Sequence, residues 1–265
     1  MHQDNYVYLL DRFTQLGFDG AFDKVLKAEM ALNVPEFSLK AQTVIPEGNL
    51  VFEFSLAQSK KETQHPQEYY FLNNVKATLT KEGQPEKSHT FLLFKQQGFH
   101  HDKMKNFMAG RSVFDQFRKD GRNVEVWRRI DFGSLDQYNN TTMRPTYKEF
   151  DLEKELNKLP FNRNDAKEKE FITKALKNGE RVSVELKQGS NTERMSLIAM
   201  PHLGVINVIN IQGEKVSIAN NQLRVIGKDE APELSEAAKN LLQSQQQGEG
   251  QKQEQGQQQG RRRAS

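Results

Sequence analysis

Residues 150–216 read FDLEKELNKLPFNRNDAKEKEFITKALKNGERVSVELKQGSNTERMSLIAMPHLGVINVINIQGEKV, and a change of period inside this stretch decides the fold class. Its first half repeats at helical spacing. Asp151 caps a helix that carries Leu152, Leu156 and Leu159 and is stopped by Pro160. Asn164 or Asp165 caps a second helix with Phe171, Ile172, Ala175 and Leu176 inward, and Asn178-Gly179 closes it through a left-handed C-cap. The second half alternates every other residue, as half-buried strands do. RVSVELK turns at QGSN into RMSLIAM, Pro201-His202-Leu203-Gly204 leads to VINVINI, and Gly213-Glu214 leads to KVSIA. Two short helices packed on one face of a β-meander are expected, which makes the chain α+β.

The same two periods organise the chain upstream. Tyr6, Leu9, Leu10, Phe13 and Leu16 fall on one helical face, with Gly17 as C-cap. Asp19 is positioned to cap a second helix with Phe22, Val25, Leu26 and Met30, so residues 1–34 read as a helical hairpin. From residue 37 the strands FSLKAQTVI, LVFEFSLAQ, YYFLNNVKATLT and HTFLLFK follow, separated by PEGN, SKKETQHPQE and KEGQPEKS. Asp102 then caps a short helix with Met104, Phe107 and Met108 inward. Residues 110–113 (GRSV), closer to a helix start than to a nucleophile elbow, lead into a short element with Phe114 and Phe117, VEVWRRIDF is a strand, and the polar run 133–146 reads as a loop. The divisions expected are a hairpin over 1–34, an antiparallel β-rich domain over 35–132, a helix-plus-meander module over 133–228 and a Gln/Gly-rich tail over 229–265. The tail has too little apolar surface to offset its ordering entropy and is read as disordered.

Composition excludes more than it suggests. The net charge of +3 is matched by Arg261, Arg262 and Arg263 alone, so the body is close to neutral. There is no cysteine, hence no disulfide, thiolate nucleophile or Cys-ligated zinc. No apolar run approaches the roughly 20 residues that span a bilayer, and the N-terminus lacks the pattern of a signal peptide. A cytoplasmic protein with no membrane association is the expectation. GxSxG, P-loop, GxGxxG and HExxH patterns are all missing. Glu125 and Asp131 could pair as acid and base, but Asp131 follows two arginines and is better read as a local ion-pair partner or a turn cap. His100-His101-Asp102 is the one dense set of metal donors. Adjacent histidines in a regular element point apart, so neither a metal nor a cofactor is expected.

One region suggests binding. Residues 103–129 hold Lys103, Lys105, Arg111, Arg118, Lys119, Arg122, Arg128 and Arg129, interleaved with Phe99, Phe107, Phe114, Phe117 and Trp127. Cations beside exposed aromatics form a sequence-tolerant platform for single-stranded nucleic acid. Lys103, Lys105, Arg111, Arg118, Arg122, Trp127, Arg128 and Arg129 are therefore the candidate site. Aromatics in the core with the charges on a solvated face would give the same sequence. A protein partner at a sheet edge or at the N-terminal hairpin is the alternative.

Further residues carry a family resemblance. Residues 110–113 (GRSV), Trp127 with Ile130-Asp131-Phe132, and the segments 150–152 and 158–160 occur in a fixed order. They are followed by 174–179 (KALKNG), Glu193-Arg194-Met195, Ala199-Met200-Pro201 and Ile206-Asn207-Val208. In this order residues 69–216 resemble a domain family of unknown function found in mobile-element and conjugation-associated proteins of the Bacteroides group of bacteria. The resemblance implies a bacterial cytoplasm and a place near DNA-processing genes. It supplies no catalytic residues, and the chain is expected to be a non-catalytic accessory protein.

Overall fold

The computed structural model describes residues 2–59, 69–93, 99–119, 121–146, 149–162, 165–219 and 222–225. It is a mixed α+β structure with mostly antiparallel sheets and few helices. The chain divides into two units, Met1–Tyr147 with Lys174–Glu180, and Lys148–Thr173 with Arg181–Ser265. The expectation for residues 229–265 lies outside the described residues.

In the first unit, α1 (Gln3–Gln15) and α2 (Asp23–Ala31) precede a sheet of β1 (Glu36–Ile45), β2 (Gly48–Gln58), β3 (Tyr70–Thr80) and β4 (Lys87–Leu92), in that order. Leu9, Phe13 and Leu16 of the first helical face are buried, and Phe22, Leu26 and Met30 of the second join them. Val25 is exposed instead. Asp19 does not cap α2, which starts four residues later with Phe22 at the N-cap. In β2 the alternation is clean, with Phe52, Phe54 and Leu56 all buried. The rings of Phe13, Phe18 and Phe22 each contact Phe54, so the helical pair and the sheet share one core. Each buried Phe or Leu contributes about 1.5–3 kcal/mol of transfer free energy.

Next come α3 (His101–Met108) and a second sheet of β5 (Val113–Lys119), β6 (Arg122–Leu135) and β7 (Thr141–Thr146). The short element after residues 110–113 is a strand, because α3 has already closed: the Gly110 and Arg111 amides return to the Phe107 and Asn106 carbonyls, with Gly110 at φ +78°. One expectation fails here. The run 133–146 is not one loop. β6 continues to Leu135 past a register shift, and β7 returns after a turn in which Asp136 Oδ1 accepts from the Tyr138 and Asn140 amides. The boundary expected at 132/133 falls inside β6.

In the second unit, α4 (Leu152–Asn157) starts where Asp151 Oδ1 accepts from the Lys154 amide. At the start of α5 (Ala166–Lys177), a helix whose residues from Lys174 onward belong to the first unit, Asp165 Oδ1 accepts from the Lys167 amide. Ile172, Ala175 and Leu176 are buried, whereas Phe171 is 66% exposed, against the expected inward face. β8 (Val182–Gln188), β9 (Asn191–Met200), β10 (Val205–Ile209), β11 (Lys215–Ala219) and β12 (Gln222–Val225) form a meander in sequence order. The last strand was not anticipated. The outer edge of β8 is covered by residues 160–162, where the Pro160 carbonyl accepts from the Lys187 amide and the Asn162 amide donates to the Glu185 carbonyl.

Candidate functional site

The basic-aromatic region forms α3, β5 and β6 of the first unit. Met104, Phe107 and Met108 anchor α3 in the core as expected. Period-two alternation in β6 puts Val126, Arg128 and Ile130 on one face and Trp127 and Arg129 on the other. Arg128 and Lys103 thereby converge on a single carboxylate of β5. Arg128 Nη1 donates to Asp115 Oδ2 at 2.8 Å, and Lys103 Nζ donates to Oδ1 at 3.2 Å. The Asp115 and Arg128 side chains are only 11% and 17% exposed. Burial lowers the pKa of Arg128, and Asp115 opposes the shift. The guanidinium also lies 5.9 Å from the centre of the Phe99 ring.

The other candidates are mostly engaged as well. Arg111, 14% exposed, donates to Glu47 Oε1 at 2.6 Å and to Asn106 Oδ1 at 2.9 Å. Lys105 pairs with Asp102 at 2.6 Å. Trp127 is 5% exposed and packs edge-on to Phe114, so its ring offers no open stacking face. Arg118 lies on β5, with its side chain outside the described residues. Arg122 is exposed at the start of β6. Arg129 is half-buried opposite Arg144, which pairs with Asp131 at 2.7 Å. The structure gathers Lys103 and Arg128 around Asp115. It does not join the eight residues into one basic face with exposed rings.

The histidine pair departs from expectation. His100, not Asp102, is the N-cap of α3, and its Nδ1 accepts from the Asp102 amide at 3.4 Å. The backbone turns from extended to helical between the two histidines, so their rings come together with centroids 4.7 Å apart. Asp102 lies 3.3 Å from His100 Nδ1 and 3.3 Å from His101 Nε2. Burial would raise the Asp102 carboxyl, but Lys105 and the two histidines outweigh it and hold it below its usual range. Burial lowers His101, with Asp102 opposing.

A polar cluster that sequence reasoning missed lies where β4 meets β7. His89 is buried, and burial lowers its pKa to about 4, against the opposing hydrogen bond at Thr141. Its Nδ1 lies 2.8 Å from Thr141 Oγ1, which itself donates to the Ser88 carbonyl at 2.9 Å. With its one proton committed there, the threonine accepts, and His89 is the Nδ1–H tautomer. Asn140 completes the seam. Its amide donates to the Thr90 carbonyl at 2.9 Å, and its Oδ1 accepts from the Thr90 amide at 2.8 Å. A cleft of about 370 Å³ opens beside these groups, lined by Phe91, Phe99, Arg128, Asp136 and Thr142 among others. The inward register of His89 was visible from its alternation with Phe91. Asn140 and Thr141 were hidden in the run read as a loop.

Among the described residues, no helix is long and apolar enough to cross a membrane. No family model, no curated protein and no solved structure matches this chain.

Proposed function

We propose that this protein is a non-catalytic binding module that takes a polypeptide partner by strand addition at the outer edge of β1. One observation carries the reading. β1 is a ten-residue edge strand with an unbroken register against β2 and, among the described residues, no strand on its other side. The Pro35 carbonyl accepts from the Gln58 amide, so odd-numbered residues turn their backbone groups toward β2. Glu36, Ser38, Lys40, Gln42 and Val44 turn theirs outward. Their side chains are exposed too, and Lys40 is the one lysine among them. Natural edges are usually shortened, bulged or covered, and a long regular edge is a template for another strand.

The nucleic-acid reading ranks second. Lys103, Lys105, Arg111 and Arg128 each face a carboxylate within 3.2 Å, and the tryptophan is buried. Arg122 and Arg129 are what favours it, since neither has an ion-pair partner among the described residues. In the mobile-element setting implied by the family resemblance, either activity would make this an accessory protein.

Lys40→Pro discriminates between the two. Proline at an edge position with an outward amide leaves the fold intact but removes a donor and blocks close approach. Partners cross-linked to the tagged full chain in its host and identified by mass spectrometry should be lost in Lys40→Pro and kept in Lys40→Ala. Partners retained by Lys40→Pro would sink strand addition. Single-stranded DNA binding that falls with salt and is weakened by Arg122→Ala with Arg129→Ala would put the nucleic-acid reading in its place.

A further inference from the structure

We propose that His100, His101 and Asp102 form a binding site for a divalent transition-metal ion of the zinc class. Two imidazoles and a carboxylate are a donor set suited to zinc, cobalt and nickel. The argument against such a site in sequence is that neighbouring histidines diverge. Here they do not, because one is the cap and the other the first residue of the helix.

The spacing fits an ion. One donor atom from each of the three side chains lies within 4.8 Å of the others. Each histidine nitrogen is 3.3 Å from an oxygen of the same carboxylate, and His100 Nδ1 would exchange its long 3.4 Å contact with the Asp102 amide for the ion. Tetrahedral zinc with bonds of about 2.0–2.1 Å holds its ligands about 3.4 Å apart. The two contacts use different oxygens, so the carboxylate would bind through both or turn slightly. All three side chains are solvent-accessible, which gives the ion a path in.

The surroundings hold the donors in place. The His101 amide donates to the Leu16 carbonyl at 2.8 Å, fixing the start of α3 on the end of α1. Gly17, at φ +84°, lies against both rings, and a Cβ there would run into His101 Nδ1 and His100 Nε2. Glycine at this position therefore does two things: it closes α1 and makes room for the pair. The opposing element is Lys105, whose ammonium lies 2.6 Å from Asp102 Oδ1 and would have to swing aside. With three protein ligands the ion would keep at least one position for water or a partner's donor.

This inference does not rest on strand addition. Its test is titration of the metal-stripped full chain with Zn²⁺ by calorimetry and with Co²⁺ by visible spectroscopy. One equivalent is expected, weakened about tenfold or more by Asp102→Asn and by His101→Gln. Asp102→Asn keeps the side-chain shape, and far-UV circular dichroism separates lost binding from lost fold. Lys105→Met removes the competing ammonium and is expected to tighten binding several-fold. Absence of binding, or binding unchanged in Asp102→Asn and therefore located at another histidine, overturns the site. Weaker binding in Lys105→Met also overturns it, because the lysine would then be the group that organises the carboxylate.

Discussion

Asp115 shows how one residue can reverse the reading of its neighbours. In sequence, Lys103 and Arg128 are two cations of a basic run, and nothing local says where their charge goes. In the fold both meet Asp115, whose side chain is 11% exposed. Removing one partner from a largely buried ion pair leaves the other charge desolvated without compensation. Asp115→Asn is therefore expected to cost about 3 kcal/mol of stability, read from the urea midpoint at unchanged m-value. A cost under about 0.5 kcal/mol would mean that solvent already screens the pair. His89 gives a pH dependence of definite sign. Its pKa falls from 6.5 to about 4 on folding, chiefly through burial. Above pH 6.5 neither state binds the proton. Between 6.5 and about 4 the unfolded chain binds it and the folded chain does not, so stability falls as pH falls; below about 4 the effect levels off. The stability difference between wild type and His89→Gln should change by roughly 3 kcal/mol across that window. Parallel curves would show that the imidazole titrates alike in the folded and unfolded chain, and curves diverging with the opposite sign that it is held protonated in the fold.

At the scale of elements, backbone left unpaired at strand edges is paired by asparagines. Asn5 Nδ2 donates to the Tyr70 carbonyl at 2.9 Å, and its Oδ1 accepts from the Tyr70 amide at 2.8 Å, at the start of β3. Asn140 does the same for Thr90 on β4. A carboxamide presents the donor and acceptor of a peptide group, so each substitutes for one residue of a missing strand. On the outer edge of β4 the Thr90 amide should exchange slowly with deuterium. Asn140→Ala should raise its exchange rate tenfold or more, the amount expected from losing about 1.5 kcal/mol of protection. An unchanged rate would show that something else covers the edge. Helix ends were legible in α4 and α5, where Asp151, Asp165 and Gly179 act as their types suggest, but not at α2, where Phe22 rather than Asp19 holds the N-cap position. At the start of α3 a histidine takes the cap that the aspartate two residues on is typed to fill.

At the scale of the molecule, the treatment of sheet edges separates β1 from β4 and β8. The edge of β8 is covered by residues 160–162, and the edge of β4 is sewn by Asn140 and Thr141. β1 keeps an open edge along its whole length among the described residues, with Val44 78% exposed near its end. Lys40→Pro therefore tests a ten-residue open backbone edge of the first unit. The expected hairpin of residues 1–34 lies inside that unit, and its core includes Phe13 and Phe22 packed on Phe54.

Periodicity and turn chemistry alone established the α+β class, the strands of the first sheet and the meander, and the capped helices between them. Those features depend on residues within a turn or a hairpin of each other. Which charges are neutralised, whether Trp127 faces water, and whether two histidines converge depend on residues brought together from distant segments. Glu47 reaches Arg111 across 64 positions, and Asn140 reaches Thr90 across 50. The sequence could therefore list the cations of residues 103–129 but not their partners. The tertiary structure supplied the carboxylates, because Asp115 and Glu47 reach Lys103, Arg128 and Arg111 only once the chain has folded.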